Sequence, residues 1–118
     1  MRKSIYIVII GIMLFGCDHI DERLLIGKYH FNTREVDVIN LYENQTYTHN
    51  YLNSKGKVFE CHGKWKHNGR EILFYNFNFF NDFGPSGGSG IWISRITHSA
   101  KMIKLHYSDD NDTYFQKE

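Results

Sequence analysis

The feature that most constrains this chain is a series of short segments in which apolar and polar residues alternate, separated by turn-forming residues. A period of two is typical of half-buried strands, whereas an amphipathic helix repeats every 3.6 residues. The abundance of Tyr, Phe and Trp, which make up 16% of the chain, also favours strands. The sequence therefore predicts an all-β domain. Its predicted strands are residues 25–31, 35–42, 46–53, 57–67, 70–77, 90–97, 101–108 and 113–117.

The connections between these eight segments are mostly short, and short connections join neighbouring strands of an antiparallel up-and-down meander. Asn68-Gly69 is the strongest hairpin signal, since both residues accept the positive φ of a type I′ turn. Residues 78–89 form a long loop, and the irregular stretch 76–80 predicts a bulge or a turn. Eight strands suffice to close a barrel, so we expect a closed or nearly closed one. An open, curved sheet or a sandwich is the alternative.

Alternation in the fourth predicted strand assigns its inner face. Phe59, Cys61, Gly63 and Trp65 share one side, and charged residues occupy the other. A turn that pairs residue 53 with residue 57 would fix the register with the preceding strand. In that register Tyr51 lies opposite Phe59, His49 opposite Cys61, and Tyr47 opposite Gly63.

Two more strands carry the same pattern. In the second predicted strand Ile39 and Leu41 should point inward, with Asp37 on the same side near the strand end. In the seventh predicted strand, alternate side chains fall on opposite faces. They are Ile103, Leu105 and Tyr107, predicted inside, and Met102, Lys104 and His106, predicted outside.

The N-terminus has the pattern of a secretory signal. Arg2 and Lys3 precede an apolar, uncharged run over residues 5–16, and acidic residues follow at once. A transmembrane helix needs about 20 apolar residues, which this run does not reach. A core helix is the alternative, but the run lacks helical periodicity. We therefore expect an N-terminal signal helix over residues 1–16.

The end of that run, Leu14-Phe15-Gly16-Cys17, resembles the lipobox of bacterial lipoproteins, although Phe15 is larger than the usual residue there. The resemblance implies cleavage between Gly16 and Cys17, with a diacylglycerol and an acyl chain attached to Cys17. More than one buried chain holds a protein stably on a bilayer. We predict a lipidated Cys17 with a short tether over residues 17–24, followed by a β-barrel domain over 25–118. No other cofactor is expected.

This anchor would place the domain in the cell envelope, facing the periplasm. Asp18 resembles the inner-membrane retention signal of enteric bacteria, and the outer membrane stays open as the alternative. The net charge is +1 for the whole chain and becomes −1 when Arg2 and Lys3 are removed, so nothing favours nucleic acid as a partner. With Cys17 lipidated, Cys61 is the remaining thiol, and we expect it to be buried and inert.

The chemistry of the side chains argues against an enzyme and against a metal site. Most histidines fall on predicted outer faces or turns, and none forms a closely spaced ligand pair. The seven are His19, His30, His49, His62, His67, His98 and His106. His49 and Cys61 are the one pair that the predicted register brings together, and no third group that would orient them is evident. We therefore predict no catalytic residues.

Several short motifs resemble those of small lipocalin-like lipoproteins of bacteria. They are Gly27-Lys28-Tyr29, the stretch 39–47 "INLYENQTY", Gly63-Lys64-Trp65 and the stretch 103–117 "IKLHYSDDNDTYFQK". The resemblance covers most of residues 26–117 and implies a lipocalin-like barrel. Each motif is also ordinary hairpin chemistry, and a shared fold does not fix a function.

Two non-enzymatic functions follow from this interpretation. The first is binding of a small apolar ligand in the barrel or at its mouth. The second is binding of an envelope protein, as by a lysozyme or toxin inhibitor or an immunity protein. The aromatic residues near the long loop could form a binding rim or fold back as a plug. The candidate contact residues are Tyr47, His49, Tyr51, Phe79, Phe83 and Trp92.

Overall fold

The computed structural model describes residues 20–32, 36–99, 102–107 and 112–118, and the predicted signal helix and Cys17 lie outside these ranges. A short 3-10 helix spans Glu22–Leu25. The strands are β1 (Gly27–Phe31), β2 (Asp37–Leu41), β3 (Thr46–Leu52), β4 (Val58–Asn68), β5 (Glu71–Phe77), β6 (Phe80–Asn81), β7 (Gly84–Pro85), β8 (Gly90–Ser99), β9 (Met102–His106) and β10 (Tyr114–Lys117).

Eight of these strands form a closed barrel, in the order β1-β10-β9-β8-β5-β4-β3-β2. Each pair of neighbours is antiparallel. The predicted all-β, up-and-down barrel is therefore confirmed. The two-residue strands β6 and β7 pair with each other inside the long connection, so β5 is followed around the barrel by β8. In the described part of the chain, no helix has the length and apolar character needed to cross a bilayer.

The predicted register of β3 and β4 is confirmed. Tyr51 lies opposite Phe59, His49 opposite Cys61 and Tyr47 opposite Gly63. The turn that sets this register closes with a hydrogen bond from the Asn53 amide to the Lys57 carbonyl, 2.9 Å long. The burial of Cys61 and Trp65, with exposed residues between them, confirms the inner face of β4.

The Asn68-Gly69 hairpin is confirmed, but the predicted turn type is wrong. Strand β4 continues through Asn68, which pairs with Glu71, so the two turn residues are Gly69 and Arg70. Among the two turn residues, Gly69 has a positive φ of 62° and Arg70 does not. Glycine at the first central position with positive φ is the requirement of a type II′ turn, which also matches the twist of the strands.

The predicted faces of the strand around residue 105 are correct for Ile103 and Leu105 and wrong at its end. Tyr107 is exposed, because β9 ends at His106 and alternation stops with the strand. His106 is buried although it lies on the outer side, because Thr97 and Tyr114 on the neighbouring strands cover it. The Thr97 Oγ1 atom is 2.8 Å from His106 Nε2. The ring centroids of His106 and Tyr114 are 6.0 Å apart.

The two ends of the barrel differ. The end that receives the N-terminus, here called the entry end, holds the 3-10 helix and the turns at 42–45 and 69–70. Leu25 is fully buried there, and its carbonyl accepts a 2.6 Å hydrogen bond from the Tyr29 hydroxyl. Gln45 donates to Glu22 at 2.8 Å, so the helix is held across the opening. The opposite end, here called the distal end, holds the turn at 53–57 and the connection 78–89.

The predicted irregularity at 76–80 is confirmed, and it shapes the distal end. The register of β5 against β8 shifts between Phe74 and Phe77, and Asn76 lies in the left-handed region with a φ of 58°. Asparagine tolerates this conformation better than most residues. Within the bulge, the Tyr75 carbonyl accepts a 2.7 Å hydrogen bond from the Tyr47 hydroxyl. Phe77 and Phe80, which follow the bulge, are buried in the core, so the chain after Asn76 lies inside the barrel.

Candidate functional site

The residues predicted to contact a ligand or partner do not form one surface. Four of them belong to the buried core: Tyr47, His49, Tyr51 and Trp92. Phe79 is half-buried against that core, and the Phe83 side chain is 93% exposed. The loop aromatics thus divide between the two predicted alternatives. Phe79 folds back as a plug, and Phe83 stands out at the rim.

The most unusual group inside the barrel is a histidine between a carboxylate and a thiol. Asp37, His49 and Cys61 come from three adjacent strands and share the inner face, which is why the register brings them together. His49 Nε2 lies 2.5 Å from Asp37 Oδ1. On the other side of the ring, His49 Nδ1 lies 3.0 Å from the Asn78 carbonyl and 3.7 Å from Cys61 Sγ.

Both ring nitrogens of His49 therefore face oxygen acceptors, and an imidazole satisfies two acceptors only when it carries two protons. Burial opposes this charge, but hydrogen bonds to Asp37 and Cys61 and their charge attraction outweigh it and raise the pKa of His49 to about 9. At neutral pH the barrel thus encloses an imidazolium ion paired with Asp37. The pair is nearly dry, since 1% of the His49 side chain and 11% of the Asp37 side chain are exposed.

The sequence-based view that His49 lacks an orienting group is wrong, because Asp37 holds its Nε2 side. The arrangement is nevertheless poorly suited to nucleophilic catalysis. Cys61 is only 8% exposed, and the Asn78 carbonyl lies against both its sulfur and His49 Nδ1, so a substrate has little access to the thiol. The Cys61 thiol instead points at the Asn78 carbonyl, 3.9 Å away.

This group of side chains is also poorly arranged to bind a metal ion. Asp37 and Cys61 approach opposite nitrogens of the His49 ring, so they share no common point at which an ion could sit. Across the described ranges, no cluster of three His, Cys, Asp or Glu side chains has the geometry of a metal site.

Aromatic rings enclose the ion pair and occupy the barrel interior. Phe77 stacks on His49 with ring centroids 4.6 Å apart and an angle of 10° between the planes. Phe80 lies at 5.0 Å and Phe115 at 6.1 Å from the same ring. The contacts continue through Phe77 to Trp92 at 4.6 Å. The side chains of the described residues therefore pack as a core where a ligand-carrying barrel would hold its ligand.

Exposed apolar side chains gather at the distal end. Leu52 and Val58 lie directly opposite each other on the outer face, and the Leu52 amide donates to the Val36 carbonyl at 3.0 Å, so the three residues form a row. Val58 is 60% exposed, and Ile91 at the start of β8 is equally exposed.

The loop that carries Phe83 is fastened beside this row. The Ser54 hydroxyl donates to Asp82 at 2.7 Å, and the Asn53 amide group donates to the Asp82 carbonyl at 3.0 Å. The Phe83 backbone N–H is held by Asn81 at 2.8 Å. We call Val36, Leu52, Val58 and Phe83 the distal apolar patch.

A groove lies on the outside of the barrel wall, near the point where the ladder between β4 and β5 ends. It is a groove of about 710 Å³, bordered by Thr46, Thr48, His62, Lys64, Tyr75 and Asn76. Gly63 also lines this groove. A Cβ at this position would stand 2.2 Å from the Tyr75 carbonyl oxygen, so a larger residue would not fit without a shift of the backbone. Sequence reasoning placed Tyr47 over Gly63 correctly, and the broken alternation at 76–80 indicated a bulge, but not the direction in which β5 would turn.

Comparisons with known proteins add no relatives: no family model, no curated protein and no solved structure matches this chain. The function therefore has to be argued from the geometry of the described residues.

Proposed function

We propose that this protein is a membrane-anchored envelope lipoprotein whose barrel binds another protein through the distal apolar patch, without catalysing a reaction. The anchor is Cys17, and the location is the cell envelope on the periplasmic side, as the lipobox resemblance implies. The observation that carries the binding proposal is the position of Phe83. This side chain is 93% exposed although the backbone of its loop is held by several hydrogen bonds.

An exposed phenylalanine on an ordered loop is a feature that partners use. Aromatic side chains are enriched in protein interfaces and supply much of the binding energy when they fill a pocket. Because Asp82 is already fastened to Ser54, little conformational freedom would be lost on binding. Leu52 and Val58 flank the turn to which Asp82 is bound, so they add exposed apolar area at the same end of the barrel.

The position of the patch relative to the anchor supports the same function. Residues before the 3-10 helix enter at the entry end, and the odd number of strand passes puts the connection 78–89 at the other end. A chain tethered through Cys17 would therefore present Phe83 away from the membrane. That orientation suits a partner in the periplasm better than a lipid surface.

The filled interior favours a protein partner over the other predicted function, an apolar ligand inside the barrel. Phe77, Trp92 and the His49 pair occupy the space that such a ligand would need. One observation still supports a ligand at the mouth, since half-buried Phe79 and exposed Phe83 both belong to the distal connection. The experiment that follows distinguishes the two functions.

The test is site-specific photocrosslinking in the native host. Full-length, lipidated protein carries a photoreactive phenylalanine analogue either at Phe83 or at Met102, an exposed apolar residue towards the entry end. We expect a discrete protein adduct from position 83 and none from position 102. The purified partner should then bind Phe83→Ala at least about tenfold more weakly than Met102→Ala. Adducts of equal yield at both positions, or a small-molecule adduct at position 83, would contradict the proposal.

A further inference from the structure

The shape of the groove on the barrel wall is set by the backbone of β5. The register shift after Phe74 accompanies a close approach of the Tyr75 carbonyl to Gly63, and the Tyr47 hydroxyl binds that carbonyl at 2.7 Å. Asn76 follows with a φ of 58° and borders the groove. Bulges often re-aim a side chain in this way. The volume of about 710 Å³ lies within the range usual for small-molecule sites.

Three polar side chains at the border of the groove are available to a ligand. His62, Lys64 and Asn76 are exposed, and within the described ranges none of their side chains makes a hydrogen bond or an ion pair. Lys64 supplies donors, and Asn76 supplies donors and an acceptor. The Thr46 hydroxyl donates to the Asn44 side chain at 2.5 Å, so its oxygen can still accept a hydrogen bond. The groove therefore suits a ligand whose groups both donate and accept.

Tyr75 adds an aromatic ring to this polar border. Its side chain is half-buried and lines the groove beside Gly63. A sugar has C–H groups on the face of its ring and hydroxyls around the edge, so it matches an aromatic side chain surrounded by hydroxyl, amide and amino groups. An apolar ligand would instead cover Lys64 and Asn76 without giving them partners, which costs free energy.

The charges around the groove favour an uncharged sugar that carries a carbonyl group. None of the lining residues has a carboxylate, and Lys64 is the lining residue that is always charged. Glu60 is exposed on the same face of β4, two residues from His62, and would repel a carboxylate placed beside the imidazole. An acetamido group avoids this repulsion, and its carbonyl oxygen accepts a charge-assisted hydrogen bond from an ammonium group.

We propose that this groove binds an N-acetylated sugar, with the sugar ring against Tyr75 and the acetamido carbonyl at Lys64. Asn76 and Thr46 would bind the hydroxyl groups at the edge of the ring. The site lies on the wall, apart from Phe83, so it goes beyond the function proposed above and can fail independently of it.

The probe is di-N-acetylchitobiose, a disaccharide of N-acetylglucosamine, titrated into the full-length protein in detergent micelles and followed by NMR. The control ligand is cellobiose, which has the same linkage but carries hydroxyls in place of the acetamido groups. We expect saturable binding of the N-acetylated sugar with a dissociation constant in the millimolar range, and shifts of the amide signals of Thr46, Lys64 and Asn76. Cellobiose should bind at least about tenfold more weakly.

Two pairs of variants locate the site. Lys64→Gln should weaken binding of the N-acetylated sugar at least about fivefold, whereas Lys66→Gln, on the same face of β4 and opposite Leu73, should change it less than about twofold. Tyr75→Leu should weaken binding at least about tenfold, and Tyr75→Phe, which keeps the ring, less than about threefold.

Equal effects within either pair of variants would overturn the proposal. So would equal binding of cellobiose, amide shifts confined to residues outside the groove, or no binding at tens of millimolar sugar. The titration uses the unaltered protein and so does not depend on the folding of a variant.

Discussion

The buried pair of Asp37 and His49 should make the stability of the barrel depend on pH in a defined direction. The pKa of His49 is raised to about 9 in the folded protein, against an ordinary value of 6.5. The folded state therefore binds the proton more tightly, and the stabilisation is fully present below about pH 6.5 and lost as the pH rises through about 9. At about 1.4 kcal/mol per pH unit, the difference corresponds to about 3 kcal/mol.

The perturbation that isolates this effect is Asp37→Asn, measured beside the unaltered protein by urea unfolding with tryptophan fluorescence. At about pH 6 the variant should be less stable by up to about 3 kcal/mol, because His49 loses its counter-ion while its contact with Cys61 remains. At about pH 9.5 the gap should shrink below about 1 kcal/mol, since His49 is then mostly neutral in both proteins. Burial raises the pKa of Tyr29 and Tyr47, so these groups titrate above this window.

The control variant is Glu60→Gln, which removes an exposed carboxylate from β4 and should leave stability almost unchanged at both pH values. Groups that titrate identically in the two proteins cancel in the difference. An NMR titration of the His49 ring gives an independent value. A gap of the same size at both pH values, or a His49 pKa near 6.5, would refute the reasoning.

Three further predictions follow from the sequence and the packing. Cys17→Ala should leave the precursor unlipidated while Cys61→Ser is lipidated normally, as measured by incorporation of labelled fatty acid; label on Cys17→Ala would contradict the lipobox assignment. The buried Cys61 thiol should react with a thiol reagent at least about a hundredfold more slowly in the folded than in the unfolded protein, and rapid labelling would show that it is accessible. Gly63→Ala should lower the free energy of unfolding by about 2 kcal/mol because its Cβ meets the Tyr75 carbonyl, whereas Gly88→Ala, which meets nothing within 4 Å, should be nearly neutral in the same urea assay; equal effects would mean that the contact at Gly63 is relieved at no cost.

Much of the fold was predictable because alternation and turn chemistry act locally. The pairing of Tyr51, His49 and Tyr47 with β4 followed from one short turn and the period of two, and the structure has that register. The inward orientation predicted for Tyr107 was wrong because β9 ends one residue earlier, at His106. The turn type predicted at Asn68-Gly69 was wrong because the turn lies one residue further along the chain. At Tyr107 the alternation was extended beyond the last ladder pair, whereas β4 runs one pair further than predicted, to Asn68 and Glu71.

The candidate site was less predictable, because it depends on long-range contacts. Asp37 was placed on the inner face, but its contact with His49 needed the register of β2 against β3, which the sequence analysis did not assign. The inward path of Tyr75 and Asn78 depends on a bulge whose direction the sequence does not specify. The groove beside β4 is a consequence of that path. Interior aromatics could be counted from the sequence, but their mutual packing could not.

The central claim is that this barrel acts through its outer surface while its interior is packed with its own side chains. Native mass spectrometry of the domain, expressed in a periplasm and purified gently, tests this claim most directly. The packed contacts among Phe77, Trp92 and His49 predict the mass of the bare polypeptide. A larger mass that returns to the bare value on denaturation would reveal a bound ligand and contradict the account.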